Sequence, residues 1–266
     1  MPEGDTVFRA ARTLNKALAN EVILAFDARV PQLATADLSG QMIREVVPRG
    51  KHILMRTDAG LTLHTHFKME GSWRLFRPSQ KTPGPHHEIR LVITTDPYKA
   101  VAYRMPVVEL VPTLEEHLVV GHLGPDILGS DWDVDEAERR IRKHPELTIG
   151  EAMLDQRNLA GIGNLYKNET LFLSGIDPST EVADVQDIPK VLMLAQRLMK
   201  SNLAHWQQST TGNLAKGQRH WVFERAGQAC RRCGIQIQMF EQGSDPLTQR
   251  LTYRCPRCQP ASRGMR

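Results

Sequence analysis

No stretch of this chain approaches the ~18 consecutive apolar residues that a membrane-crossing helix needs, and no basic segment followed by an apolar run opens it. Both absences point to a soluble, cytoplasmic protein. Cysteine is scarce too: the only four are Cys230, Cys233, Cys255 and Cys258, so no disulfide framework can run through the body of the fold. Charge of one sign is also lacking. With 34 Lys and Arg against 30 Asp and Glu, the formal charge is +4, which by itself hardly indicates a polyanionic partner. What remains is an ordinary globular composition, 41% hydrophobic and 24% charged over 266 residues, long enough for one large domain or two modest ones.

The charge distribution says more than its sum. From Lys216 to Arg266 there are ten Lys and Arg against three Asp and Glu, a local +7, which leaves −3 for everything before it. The tail is a basic module on a near-neutral body, a pattern shared by nucleic-acid contacts and by plain solvated faces. It also holds all four cysteines, as "CRRC" and "CPRC". Two C-x-x-C knuckles brought together by a hairpin present four thiolates to one tetrahedral zinc ion, with no position left for water, so the ion holds structure and does no chemistry. Disulfides are the alternative, opposed by a reducing cytosol and by poor bridge geometry within C-x-x-C pairs. Between the knuckles, "GSDPLTQRLTYRC" offers a turn over 243–246 followed by a strand, with Gln249 and Arg250 near the hairpin tip.

At the other end, "MPEGDTVFRA" places Pro2 and Glu3 immediately ahead of a helix. Val7, Ala10, Ala11, Leu14, Ala17 and Leu18 share one helical face, with Asp5 or Thr6 available as a cap. A helix that docks holds its own start in place, and its positive end favours a carboxylate at Glu3. Removal of the initiator methionine would leave Pro2 with a free secondary amine beside that carboxylate. Residues 21–112 then read as short alternating or β-branched runs separated by turn signals, among them "EVILAF", "HILMRT", "LTLHTHF" and "EIRLVITT", which predicts a β-sandwich. Lys51, in "PRGKHIL", opens one of these strands. After "GPDIL" the pattern turns helical, with "DVDEAERRIRKH", "TIGEAMLDQR", "NLYKNETLFL" and "QDIPKVLMLAQRLMKSNLAHW". In "LAGIGNLYKNE", two glycines and Asn164 stand at a helix mouth, where backbone N–H groups suit a DNA phosphate. The third glycine of a dinucleotide-binding fingerprint is missing, its place taken by Tyr166, which excludes a Rossmann site.

Taken in order, "MPEG", "RGKHIL", "HFKMEGSWRLF", "GPDIL", "LDQRNLAGIGNLYKNE" and "CRRCG…TQRLTYRCPRC" closely resemble the formamidopyrimidine-DNA glycosylase and endonuclease VIII family over almost the whole chain. The resemblance implies an α+β multidomain fold: an N-terminal β-sandwich with a leading helix over 1–120, a helix-two-turn-helix domain over 121–225, and a four-cysteine zinc-finger hairpin with its tail over 226–266. It implies a bifunctional DNA glycosylase and AP lyase acting on damaged DNA, as a monomer, with one structural zinc and no small-molecule cofactor. Pro2 would be the nucleophile and Glu3 its acid-base partner, with Lys51 completing the catalytic set; Lys51, Asn164 and Arg250 would grip phosphates around the lesion. Met69, in "HFKMEG", would fill the vacated base stack, although a core methionine remains open at that position.

The chain departs from the family pattern in two places. Thr6 occupies the place of a common carboxylate, with Asp5 just before it, a change that bears on the support for ring opening, and "AYRMPVVEL" stands where the oxidised-purine branch carries a "PRRFG"-like segment, an absence that bears on substrate. Together with "MPEG" this favours the endonuclease VIII-like branch and oxidised pyrimidines. The competing reading is a zinc-finger protein that merely recognises abasic or kinked DNA; the intact Pro2–Glu3 pair argues against it.

Overall fold

The computed structural model describes residues 2–243 and 249–261, which form two compact units meeting in sequence at His122 and Leu123. Among the described residues no helix is long and apolar enough to cross a membrane.

The first unit opens with helix α1 (Gly4–Leu18), whose stripe of Val7, Ala11, Leu14 and Leu18 is buried as the 3.6-residue period requires. Neither Asp5 nor Thr6 caps it. The N-cap position falls on Glu3, whose side chain makes no capping bond, while Asp5 pairs with Arg9 at 3.0 Å one turn on and Thr6 accepts from the same guanidinium. The helix begins at Gly4, earlier than either cap would allow, so both residues lie inside its first turn.

Eight antiparallel strands follow: β1 (Ala25–Ala28), β2 (Ile43–Arg49), β3 (His52–Thr57), β4 (Leu61–His66), β5 (Ser72–Phe76), β6 (Ile89–Thr94), β7 (Lys99–Tyr103) and β8 (Val107–Pro112). They make two four-stranded sheets, ordered β1-β6-β7-β5 and β2-β3-β4-β8. Val46, Ile53, Met55 and Leu63 from one sheet and Leu91, Ile93, Ala100 and Ala102 from the other join the buried face of α1 in one apolar core. The helix is tied to β2 by Asn15, whose Oδ1 accepts the Val46 N–H at 2.7 Å. A single-turn helix, α2 (His117–Val120), ends the unit.

The second unit contains α3 (Val134–Ile141), α4 (Ile149–Leu154), α5 (Asn164–Ser174) and α6 (Ile188–Ser201), followed by a hairpin of β9 (Gln238–Gln242) and β10 (Arg250–Arg254). Three of these helices start where the sequence supplies a cap: Asp133 accepts the N–H of Asp135 and Glu136, Thr148 that of Glu151, and Asp187 that of Lys190. Helix α5 has no polar stripe to show. It is buried on every side from Asn164 to Phe172, Lys167, Asn168 and Glu169 included, so each of those polar groups needs an internal partner. Tyr166 and Phe172 of α5, Ala195 and Met199 of α6, and Ile237 and Tyr253 of the hairpin lie in the same apolar core as Cys230 and Cys255. The turn expected over 243–246 lies outside the described residues beyond Gly243.

Candidate active site, nucleic-acid interface and metal centre

In the first unit Pro2 is half-buried and Glu3 fully buried, at an extended backbone position immediately before the helix. The Glu3 carbonyl accepts the Val7 N–H at 3.0 Å, so the first turn of α1 fixes the residue that precedes it. A buried carboxylate at the positive end of a helix is placed for work or for structure, never for solvation. Met1 lies outside the described residues.

Lys51 does not open a strand. Arg49 pairs with His52, so Gly50 and Lys51 form a two-residue hairpin turn between β2 and β3. Gly50 has φ +57°, and a glycine in a positive φ is what the first central position of a type II′ turn requires. A lysine at such a tip is carried by a rigid hairpin. Met69 sits on another tight loop, between β4 and β5, closed by a bond from the Gly71 N–H to the Phe67 carbonyl at 2.8 Å. A Cβ at residue 71 would come within 2.8 Å of the Phe67 backbone, so only glycine closes this loop without a shift. Met69 is 61% exposed and is not a core side chain.

The sheet that carries Lys51 also holds a histidine cluster that motif reading passed over. Odd-numbered Ile53, Met55 and Leu63 face the core, so by the two-residue alternation of strands His52, His64 and His66 share the opposite face. His64 Nδ1 lies 2.9 Å from the Glu109 carboxylate, and its Nε2 2.7 Å from His52 Nδ1. The His52 and His64 rings stack at 5.0 Å, and His66 meets His52 edge-on at 4.5 Å. Burial, then the neighbouring His66, His64, His122 and Lys68, press the His52 pKa down to about 2. Burial, then Lys68, Lys51 and His64, bring His66 to about 4. Both are neutral imidazoles at physiological pH, and the cationic character of this region rests on its lysines. The period-two spacing of His64 and His66 was the available signal.

Because the folded pKa of His52, about 2, lies below the ordinary value of 6.5, the unfolded chain binds the extra proton, and stability rises with pH through the window from about 2 to about 6.5. Acidification from pH 7 to pH 5 is expected to cost the first unit about 2 kcal/mol through His52 alone. Denaturant titrations of wild type and His52→Gln should show a smaller loss in the variant; equal losses would contradict it.

In the second unit the sequence from 155 to 163 makes two tight turns into α5. Gln156 spans them, donating to the Leu154 and Ile162 carbonyls and accepting the Gly161 N–H. Gly161 has φ +102°, a conformation closed to other residues at little cost. Asn164 begins α5, and its Nδ2 donates to the Leu251 carbonyl at 2.8 Å. That bond brings Asn164 beside Arg250, the next residue along β10, which is exposed. Two more side chains of α5 reach the same strand. Lys167 Nζ donates to Thr252 Oγ1 at 2.6 Å, and Asn168 Oδ1 accepts the Tyr253 N–H at 2.7 Å. Glu169 accepts the backbone N–H groups of Trp221, Val222 and Phe223. Sequence reasoning named only Asn164 of this set; polar residues on every face of an otherwise apolar helix were the clue to the rest.

The four cysteines converge, with no disulfide among them. All four Sγ atoms lie within 4.8 Å of one another, with Cys230 and Cys258 at 3.9 Å and Cys233 and Cys255 at 3.4 Å. Four sulfurs at ~2.3 Å from a tetrahedral ion stand ~3.8 Å apart, so the set fits a metal. The knuckles are shaped for it: the Arg232 N–H points at Cys230 Sγ at 3.4 Å, and Gly234, at φ +80°, turns the chain back so that its N–H reaches the Cys230 carbonyl. The Ile235 N–H helps hold Cys233 down to about 7, while burial pushes Cys258 up to about 12. Gln259 is fully buried; it accepts the Cys255 N–H at 3.0 Å and donates to the Ile176 carbonyl at 2.8 Å, which pins the second knuckle to the end of α5.

A sandwich led by a buried pre-helical carboxylate, and a helical unit carrying a four-cysteine hairpin, define the fold of a DNA glycosylase. The solved complex of the Lactococcus lactis Fpg with DNA containing an abasic site has this fold, at a TM-score of 0.79 and 23% identity, covering 98% of this chain and all of that one. The family model of the formamidopyrimidine-DNA glycosylase N-terminal domain matches residues 1–106, and that of the glycosylase H2TH domain matches 123–212. The chain belongs to the formamidopyrimidine-DNA glycosylase and endonuclease VIII family, on the endonuclease VIII-like side. It is 47% identical to the probable endonuclease 8 2 of Streptomyces coelicolor, over 99% of this chain and 96% of that protein. It is 39% identical to the DNA-(apurinic or apyrimidinic site) lyase Nei2 of Mycolicibacterium smegmatis, over 98% of this chain and all of that one.

Proposed function

We propose that this protein is a bifunctional DNA glycosylase and AP lyase that removes oxidised bases, oxidised pyrimidines foremost, and cleaves the strand by β,δ-elimination. The observation that carries the reading is Glu3, wholly buried beside Pro2 at the start of a docked helix in a chain of this family. The Pro2 amine, freed by removal of Met1, attacks the anomeric carbon of the damaged nucleotide, and the base departs with the bonding pair. Opening of the sugar ring turns the adduct into an iminium that acidifies the C2′–H; loss of that proton expels the 3′ phosphate, and loss of a second proton, from C4′ of the conjugated product, expels the 5′ phosphate. Glu3 delivers a proton as the sugar ring opens and carries protons in the eliminations that follow. The base has first to leave the stack, at a cost of a few kcal/mol that is least for a damaged pair.

Lys51, on its rigid turn, and Arg250 with Asn164 on the second unit are the phosphate grips in this reading, and Met69 fills the gap left by the everted base. Segments 1–120, 121–225 and 226–266 carry catalysis, helix-two-turn-helix contacts and finger contacts respectively. Zinc is the metal that suits four thiolates in tetrahedral array, and with all positions filled it serves the fold. The protein works as a monomer.

The reading is tested with a duplex bearing one oxidised pyrimidine. Base release followed by a cut leaving phosphate on both flanks is the expected outcome; binding without release would favour the rival reading of a DNA-recognition protein. Lys51→Ala, Asn164→Ala and Arg250→Ala are each expected to weaken binding to abasic-site duplex by ~5- to 30-fold. The salt slope should be shallower by about one for the two charge losses and unchanged for Asn164→Ala. Wild-type affinity and slope in all three variants would remove these residues from the interface.

A further inference from the structure

Trp206 is 90% exposed, while Trp73, Trp132 and Trp221 are all partly buried. Burial of such a ring is normally worth several kcal/mol, so an indole left in water calls for a reason. It is not left there by a slack loop. Asn202, buried at the end of α6, clamps the arch 203–208 at its base. Its Nδ2 donates to the Leu198 and Ser209 carbonyls at 2.8 and 2.9 Å, and its Oδ1 accepts the Ser209 N–H at 2.7 Å. Ser209 continues to the Asn213 carbonyl at 3.0 Å, and the Thr210 N–H to the Arg219 carbonyl at 2.9 Å. The arch is therefore fixed at its base, and Trp206 stands exposed between those anchored ends.

A second, independent observation concerns charge. From Ile188 to Phe223 the chain has no Asp or Glu, although 30 are spread over its 266 residues; the same segment carries Lys190, Arg197, Lys200, Lys216 and Arg219. The carboxylate nearest in the network, Glu169, is buried and occupied by the N–H groups of Trp221, Val222 and Phe223. A flat aromatic face on an arch anchored at its base, in a segment that carries five cations and no acid, combines the two elements by which proteins hold unpaired nucleic acid: a stacking platform and an electrostatic track. Bases inside an intact duplex offer no free face, so the ligand is a base already out of its stack.

We propose that Trp206 stacks on an unstacked nucleobase of the DNA substrate, a contact additional to the phosphate grips, with Lys200, Lys216 and Arg219 tracking the adjoining backbone. The inference rests on the DNA-repair reading above and deepens it: it assigns the protein a preference for DNA with a locally single-stranded base.

The test uses the full-length zinc-loaded protein with three probes: a single-stranded 12-mer, an abasic-site duplex and an intact duplex. Binding of the first two should quench tryptophan emission and shield it from acrylamide, and the intact duplex should do neither. Trp206→Phe keeps an aromatic face and should lose the signal but bind the single strand within about threefold of wild type. Trp206→Ala should bind it ~10- to 100-fold more weakly, the range found for losing one stacked base, with unchanged affinity for intact duplex. If no probe binds, the DNA-repair reading falls and this inference with it. If the probes bind while Trp206 stays as open to acrylamide as in the free protein, or Trp206→Ala binds the single strand like wild type, the inference alone falls. An arch that instead engages another protein would give that last result.

Discussion

Protein that retains its N-terminal methionine, or carries an N-terminal tag, is expected to form no borohydride-stable adduct with abasic DNA, while untagged protein is trapped quantitatively and the cross-linked peptide maps to Pro2. The reason is chemical. Acylated, the Pro2 nitrogen is an amide with no lone pair to give, whereas a terminal secondary amine forms an iminium as a Schiff-base lysine does. Pro2→Gly keeps an amine, now primary, and should retain part of the lyase activity. Glu3→Gln preserves size and burial but cannot exchange a proton, so base excision should fall by ~10²- to 10⁴-fold with binding of damaged DNA intact. An adduct on Lys51 or another internal lysine, or a tagged enzyme as active as the untagged one, would overturn the mechanism.

The second large effect concerns the metal. Purified protein is expected to hold one zinc per chain, and stripping it, or Cys230→Ser or Cys255→Ser, should abolish DNA binding. The structure indicates damage beyond the hairpin. Cys230 and Cys255 belong to the same apolar core as Tyr166, Phe172 and Met199, and Gln259 ties the second knuckle to α5. Structural zinc contributes ~10–16 kcal/mol in finger peptides, comparable to the whole stability of a domain at ~5–15 kcal/mol. Hydrogen exchange should therefore rise through α4, α5 and α6 on metal removal while β2–β4 and α1 stay protected. Well-folded protein without zinc would defeat this, and protection loss confined to 230–258 would show that the hairpin melts alone.

Much of the architecture was legible because it rests on local patterns. The eight apolar runs between residues 21 and 112 became the eight strands, and Asp133, Thr148 and Asp187 began the helices they precede. The four cysteines converge as their spacing implied. What escaped depends on side chains far apart in sequence. Asp5 or Thr6 was expected to cap α1, but the helix begins at Gly4, ahead of both. Lys51 was placed at a strand start because a run of apolar residues follows it; the positive φ of Gly50 puts it in the turn instead. The Glu109–His64–His52 chain crosses three strands, 45 residues separating its first pair. The buried polar groups of α5 could not be assigned partners until β10 and the loop ahead of the first knuckle were in place.

That last arrangement bears on modularity. Asn164, Lys167 and Asn168 bind the Leu251 carbonyl, the Thr252 hydroxyl and the Tyr253 N–H, three successive residues of one strand met by one face of one helix. The finger is thus indexed to α5 like a key cut to its lock, and a chimera built by transplanting residues 226–266 between relatives inherits the register only if the helix travels with it. Grafted onto a foreign α5, the hairpin would gather its four cysteines and still carry Arg250 in the wrong register.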